Sequence, residues 1–191
     1  MRRGSFPQIA WLVLGFGTAC AAEAPAPRWP LDLAPVLTSS FGEYRPGRFH
    51  AGIDLATGGR TGAACHAVGD GSVVRMRMSP YGYGKALYVQ LDNGPLVVYA
   101  HLSRFAAPMA ARARAEQRRG QRYTFDVNLP PGEMRVQRNT VIAWSGDTGI
   151  GVPHFHFELR DGDVARNPQT AGFPVHDTMA PAISEVSVVP L

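Results

Sequence analysis

Apolar and polar residues alternate with a period of two over much of this chain. The alternation is cleanest in Pro153-His154-Phe155-His156-Phe157-Glu158-Leu159-Arg160, where a strand's successive side chains would point to opposite faces. Phe155, Phe157 and Leu159 then face a core, and His154, His156 and Glu158 share the other face. Gly146, Gly149 and Gly151 precede them, which puts the histidine pair at a strand mouth beside a glycine-rich turn. Residues 72–78, 86–91 and 95–102 are further short runs rich in Val, Tyr and Leu. Asp92-Asn93-Gly94 joins the last two and is a strong hairpin signal. Runs at 36–41, 50–55, 123–129, 133–136 and 141–145 have strand character, and Asp161-Gly162-Asp163 makes another tight turn. The pattern predicts an all-β domain of short strands joined by hairpins.

Residues 106–122 break the rhythm. They are rich in Ala and Arg, have helix-forming composition and show no clear apolar stripe. A short solvated helix within an insertion at about 106–133 is expected, with a basic element lining a groove for an anionic substrate as the alternative.

The first 22 residues read as a signal peptide. Arg2 and Arg3 are followed by an apolar run at 9–16 and by small residues around Ala21 and Ala22. Gly17-Thr18-Ala19-Cys20 also resembles a lipoprotein signal, although Gly17 stands where Leu is usual, so a lipid anchor at Cys20 is the second possibility. A Pro- and Ala-rich leader (23–35), a domain (36–170) and a C-terminal extension (171–191) follow. The extension includes an alternating run at 183–189 and His176.

The 191 residues suit one domain with appendages. The formal charge of +4 is almost entirely Arg, and no basic stripe interleaved with aromatics appears, so nucleic acid is not expected as a partner. Removal or lipidation of Cys20 leaves Cys65 alone, which excludes an intrachain disulfide and favours a small buried residue. His66 and His176 read as ordinary surface or turn histidines.

His50 and Asp54 lie four apart with Gly52 between them, a spacing that puts both on one face of a strand. With one histidine of the later pair they supply three His/carboxylate ligands, the number at a catalytic zinc site that keeps its fourth position open. Taken alone, an Asp after Gly is often a turn residue. His101, in Tyr99-Ala100-His101-Leu102-Ser103, sits at a strand end, which suits a site residue.

Taken together, these motifs resemble the lysostaphin/LytM-type zinc metalloendopeptidases. The resemblance rests on His50-x-x-x-Asp54, Tyr99-Ala100-His101-Leu102-Ser103 and His154-x-His156-x-Glu158, in that order. Ser40-Phe41-Gly42, Gly82-Tyr83-Gly84 and Gly146-Asp147-Thr148-Gly149 agree with it. It implies an antiparallel sheet core with an open groove and one Zn2+ per chain on His50, Asp54 and His156. Two further catalytic histidines, His101 and His154, would assist a zinc-bound water in attacking an amide carbonyl. It further implies an exported hydrolase of peptide cross-links in bacterial peptidoglycan, in the periplasm or cell envelope, with envelope regulators as possible partners. The alternative from another class is a non-catalytic peptidoglycan-binding activator of a cell-wall amidase, a kind of relative that usually lacks one or more ligands. The stretch between His101 and His154 is longer than the compact family pattern, and its surplus was expected to wall or cover the groove. Glu158 is expected to support a ligand rather than act as a base.

Overall fold

The computed structural model describes residues 27–175. The signal peptide, Cys20, His176 and the run at 183–189 lie outside the described residues.

The chain forms β1 (Leu37–Ser39), β2 (Tyr44–Arg45), β3 (Arg48–Phe49), β4 (Ile53–Ala56), β5 (Ala64–His66), β6 (Gly71–Met78), β7 (Lys85–Leu91), β8 (Leu96–Ala100) and β9 (Leu102–Phe105). Helix α1 (Ala107–Gly120) follows, then β10 (Phe125–Asn128), β11 (Arg135–Val136), β12 (Val141–Ser145), β13 (His154–Asp161) and β14 (Val164–Arg166). All strand pairs are antiparallel. The large sheet runs β1-β4-β13-β8-β7-β6-β10, with β11 also on β6 and β14 also on β13. A small sheet runs β5-β12-β9, and β2 pairs with β3 as a hairpin. The all-β expectation holds, with one helix where the alternation broke.

Alternation decides which face of the large sheet is covered. Ile53, Leu55, Leu87, Val89, Val97, Tyr99, Phe155 and Phe157 are fully or nearly fully buried, and they join Cys65, Leu102, Ile142 and Ala143 of the small sheet in one core. The opposite face carries Asp54 and His156, which face each other in register across β4 and β13. One face packs and the other is left for chemistry.

Three expectations change. Strand β4 begins at Ile53, so His50 lies on the turn before it and not on a strand with Asp54. His50 is held by backbone bonds on both sides, from its N–H to Glu43 O and from Gly42 N–H to its own carbonyl (2.9 Å each). Helix α1 does have a buried stripe, Met109, Ala113 and Glu116 at one-turn spacing, and Met109 and Ala113 sit in the core. His66 is buried, not superficial. Its Nδ1 donates to Asn139 O (3.0 Å) and its Nε2 meets Asp32 (2.8 Å). Residues on both sides of 36–170 pack onto the domain: Leu31 is buried and bridges Cys65, and Phe173 packs on Phe157 (ring centroids 4.9 Å). Cys65 is fully buried, and burial raises its thiol pKa far from reactivity.

Candidate metal centre and active site

His50, Asp54 and His156 converge beneath the open face, all buried. His156 Nδ1 is 2.7 Å from Asp54 Oδ1 and 3.0 Å from His50 Nε2, and His50 Nε2 is 3.2 Å from Asp54 Oδ1. The far nitrogen of each ring fixes its tautomer. His50 Nδ1 faces the Ser40 carbonyl at 2.8 Å, which can only accept, so Nδ1 carries the proton and Nε2 a lone pair. His156 Nε2 faces Glu158 Oε1 at 2.7 Å and donates to it, leaving the lone pair on Nδ1. Two imidazole lone pairs and a carboxylate oxygen therefore point at one spot. A proton satisfies one such pair; a divalent cation satisfies all three. Tetrahedral ligands about 2.0–2.1 Å from zinc stand roughly 3.3 Å apart, close to the spacings seen. The residues fit the metal.

The surroundings hold these donors in place. Burial disfavours a carboxylate at Asp54, yet in the metal-free protein a proton shared with the His156 and His50 rings, and the charge it brings, outweigh burial and keep its pKa well below the usual range. Burial also works against a charged His156, but its bonds to Asp54 and Glu158 raise its pKa overall, so a positive charge is favoured at this point. Arg45 donates to Asp54 Oδ2 (3.0 Å) and to Ser39 Oγ (2.7 Å), leaving Oδ1 for the metal. Beneath, Glu158 is fully buried and accepts from His156, Arg160 (2.6 Å) and the Tyr83 hydroxyl. Burial pushes its pKa up, but those bonds outweigh it and bring it down to about 2. The Tyr83 ring lies nearly parallel to His156, centroids 5.3 Å apart. Such outer partners fix ligand orientation. Gly52 is obligatory for another reason: a Cβ there would come within 2.3 Å of Phe157 O and 2.8 Å of Glu158 Cγ.

His101 and His154 stand beside this cluster, ring centroids 4.4 Å apart. His101 interrupts the strand between β8 and β9 at φ 56, a left-handed conformation costly for a non-glycine residue. Its Nδ1 donates to Thr148 O (2.9 Å), and Thr148 is pinned by Leu102 O (2.7 Å) and Lys85 N (2.9 Å). His154 Nδ1 donates to Val152 O (2.7 Å). Both rings therefore keep a bare Nε2 lone pair, and that of His154 lies 3.7 Å from Asp54 Oδ1. Burial lowers the His101 pKa to about 4, so its ring is neutral at physiological pH. The loops that carry these contacts interlock closely: Cβ atoms at Gly84 and Gly149 would lie within 2.2 Å of Thr148 O and Gly82 O.

A groove of about 360 Å³ opens over these residues, and Arg45, Arg48, Phe49, Arg77, Tyr83 and Ile150 also line it. All five site residues read from the sequence border it. No residue of 106–133 does, so the insertion does not wall the groove. Arg45, Tyr83, Thr148 and the two further arginines carry roles that spacing did not reveal. Tyr83 and Thr148 lay within the quoted flanking motifs; Arg48 and Arg77 had no signal beyond being arginine.

The family model described as peptidase family M23 matches residues 48–121. The DD-carboxypeptidase/endopeptidase Mpg of Neisseria meningitidis serogroup B is 30% identical over 128 residues, 66% of this chain and 24% of the relative. Among solved structures, a zinc-containing peptidase from Vibrio cholerae superposes with a TM-score of 0.55 at 27% identity, covering 76% of this chain and 39% of that one. The catalytic domain of the prophage-encoded M23 protein EnpA from Enterococcus faecalis gives 0.54 at 27% identity, covering 77% and 97%. Fold and site define a β-sheet domain of the LytM/lysostaphin type. The matched stretch is a peptidase M23 domain, and the chain spans about a quarter of the length of the curated relative it matches.

Proposed function

We propose that the protein is an exported zinc metalloendopeptidase that hydrolyses peptide cross-links of bacterial peptidoglycan in the periplasm or cell envelope. The observation that carries this is the convergence of the His50, Asp54 and His156 lone pairs, with two further bare imidazole nitrogens directed at the same groove.

Zinc, held by these three residues, would supply Lewis acidity toward a scissile carbonyl and toward water. The chain's own residues do the rest. Asp54 would offset the cation's charge, while Arg45 neutralises its Oδ2. Either Nε2, of His101 or of His154, can take a proton from the attacking water. The other, once protonated, can hydrogen-bond the developing oxyanion or pass its proton to the departing nitrogen. Because His101 is neutral above about pH 4, it can begin the cycle as a base or acceptor. All five positions are filled by side chains able to act, which favours an enzyme over an activator that only binds the wall.

Mass spectrometry of purified peptidoglycan digested by the zinc-loaded mature protein, with His154→Ala alongside, tests this. New amino termini within cross-links, absent with the variant, support the peptidase and identify its bond. A protein that carries zinc and binds the wall but releases no fragment would overturn the enzyme in favour of the activator.

A further inference from the structure

Most arginines of the large sheet and of the β2–β3 hairpin are paired: Arg45 with Asp54, Arg75 with Asp126, Arg135 with Asp92, Arg160 with Glu158, Arg166 with Asp161. Two that line the groove, Arg48 and Arg77, have no hydrogen-bond acceptor or ion-pair partner among the described residues. Arg77 is half-buried, and its position in the sheet is specific. Asp126 opposes it in register, yet the Asp126 carboxylate takes both of its bonds from Arg75 (2.7 and 2.6 Å). Arg77 is thus left facing the groove with its nearest acid already saturated.

The register carries this residue onto the row of the metal ligands. Asp54 opposes His156, His156 opposes Ala100, and Arg77 opposes Ala86. Leu87 opposes Tyr99, so the next pair along, Ala86 and Ala100, closes the row. The two alanines between His156 and Arg77 put no large side chain on that row, and both are buried in a cluster against which Tyr83, itself a groove residue, packs. Three strand spacings separate the His156 and Arg77 backbones, about 14 Å. An extended peptide advancing about 3.3 Å per residue would bring a group within about four residues of the scissile bond to Arg77. Arg48 stands on the short strand leading into His50. Among the described residues the only acid lining the groove is Asp54, whose two oxygens are committed to Arg45 and to the ligand cluster.

We propose that Arg77, assisted by Arg48, forms a carboxylate-binding subsite, so that the preferred substrate is an anionic peptide and not an uncharged one. This rests on the peptidase reading and narrows its substrate class. A guanidinium without a bonded acid in a groove presents a planar fork matched to a carboxylate, and the two acids near it, Asp126 and Asp54, already accept from Arg75 and Arg45.

The test uses the zinc-loaded protein and a cross-linked stem-peptide dimer with free carboxylates, beside the same dimer with its carboxylates amidated. Binding and hydrolysis are measured separately. A roughly 10- to 100-fold preference for the free acid is expected, seen in Kd or KM and not in kcat. Arg77→Gln should abolish the preference while leaving the amidated dimer unaffected. Arg48→Gln should reduce it less, being exposed, and added salt should shrink it. Hydrolysis with equal affinity for acid and amide would overturn the subsite and leave the peptidase standing. Arginine-dependent capture of the acid without hydrolysis would support the subsite and overturn the peptidase. Failure to bind or cut either dimer would overturn both.

Discussion

At the scale of single residues, two kinds of histidine share one groove. His50 and His156 present lone pairs to each other and to Asp54, an arrangement that leaves three acceptors facing without a cation. His156→Ala removes one of the three proposed zinc ligands, and the purified variant should contain far less than one zinc per chain by elemental analysis. His154 and His101 have their Nδ1 protons tied to backbone carbonyls and ligate nothing. His154→Ala should therefore keep full zinc content and lose about 10²- to 10⁴-fold in turnover, the usual contribution of a positioned acid or base. Retained turnover in that variant would remove His154 from the reaction. Tyr83 sits one step further out. Tyr83→Phe keeps the ring stacked on His156 but deletes the hydroxyl that Glu158 accepts from. Zinc affinity should fall about 10-fold in a chelator competition, as loss of an outer partner typically does.

Among the elements, β13 does most to define the protein, since its two faces have two tasks. Phe155 and Phe157 anchor the core, and His154, His156 and Glu158 build the site, so the site's geometry is fixed by the packing of its reverse face. Helix α1 has a different place from the one its sequence suggested. It lies against the β9 and β10 side of the domain and buries Met109 and Ala113 there. Excision of 106–121 would uncover core surface, and the groove's walls would not change. Met109→Ala should cost about 2–5 kcal/mol of stability in chemical denaturation, the range for deleting a buried Met, with zinc affinity unchanged. Altered substrate preference in that variant at full stability would return the helix to the groove. Gly52→Ala belongs to the same scale, because it forces β4 and β13 apart where the ligands face each other.

Across the whole molecule, the buried charges set a pH window. The folded pKa of Glu158, about 2, lies below its ordinary value near 4.5. A carboxylate lowered on folding contributes stability in full above the ordinary value, and that stability is lost as pH falls toward the folded one. Asp54 shifts in the same direction. The metal-free protein should therefore lose thermal stability progressively between about pH 4.5 and pH 2. Glu158→Gln, less stable at neutral pH, should show a shallower acid dependence, and parallel curves for the two proteins would contradict the shift. The groove's excess of arginine acts at the same scale: a net charge of only +4 is spread over the chain, yet Arg45, Arg48 and Arg77 line the groove beside one acid, Asp54.

The sequence by itself determined most of the strands, their inward and outward faces and the five residues, His50, Asp54, His101, His154 and His156, that border one groove. A period of two is a local property, and ordered short motifs survive whatever the loops between them do. It also foretold a helix at 106–122, from composition, and the helix runs over Ala107–Gly120. Which surface that helix would bury was not legible, since its stripe of Met109, Ala113 and Glu116 is short and its third member is an acid that pairs with Arg112 and Arg119. Spacing placed His50 beside Asp54 by the wrong geometry: it reaches Asp54 from a turn held by Glu43 and Gly42, contacts that no spacing rule describes. His66 looked like a surface residue because its acceptors, Asp32 and Asn139, are distant in sequence. Tertiary structure alone decided that Arg75 and not Arg77 would pair with Asp126, and that two alanines would lie between Arg77 and His156. Such pairings depend on strand register, which joins residues that the chain keeps apart.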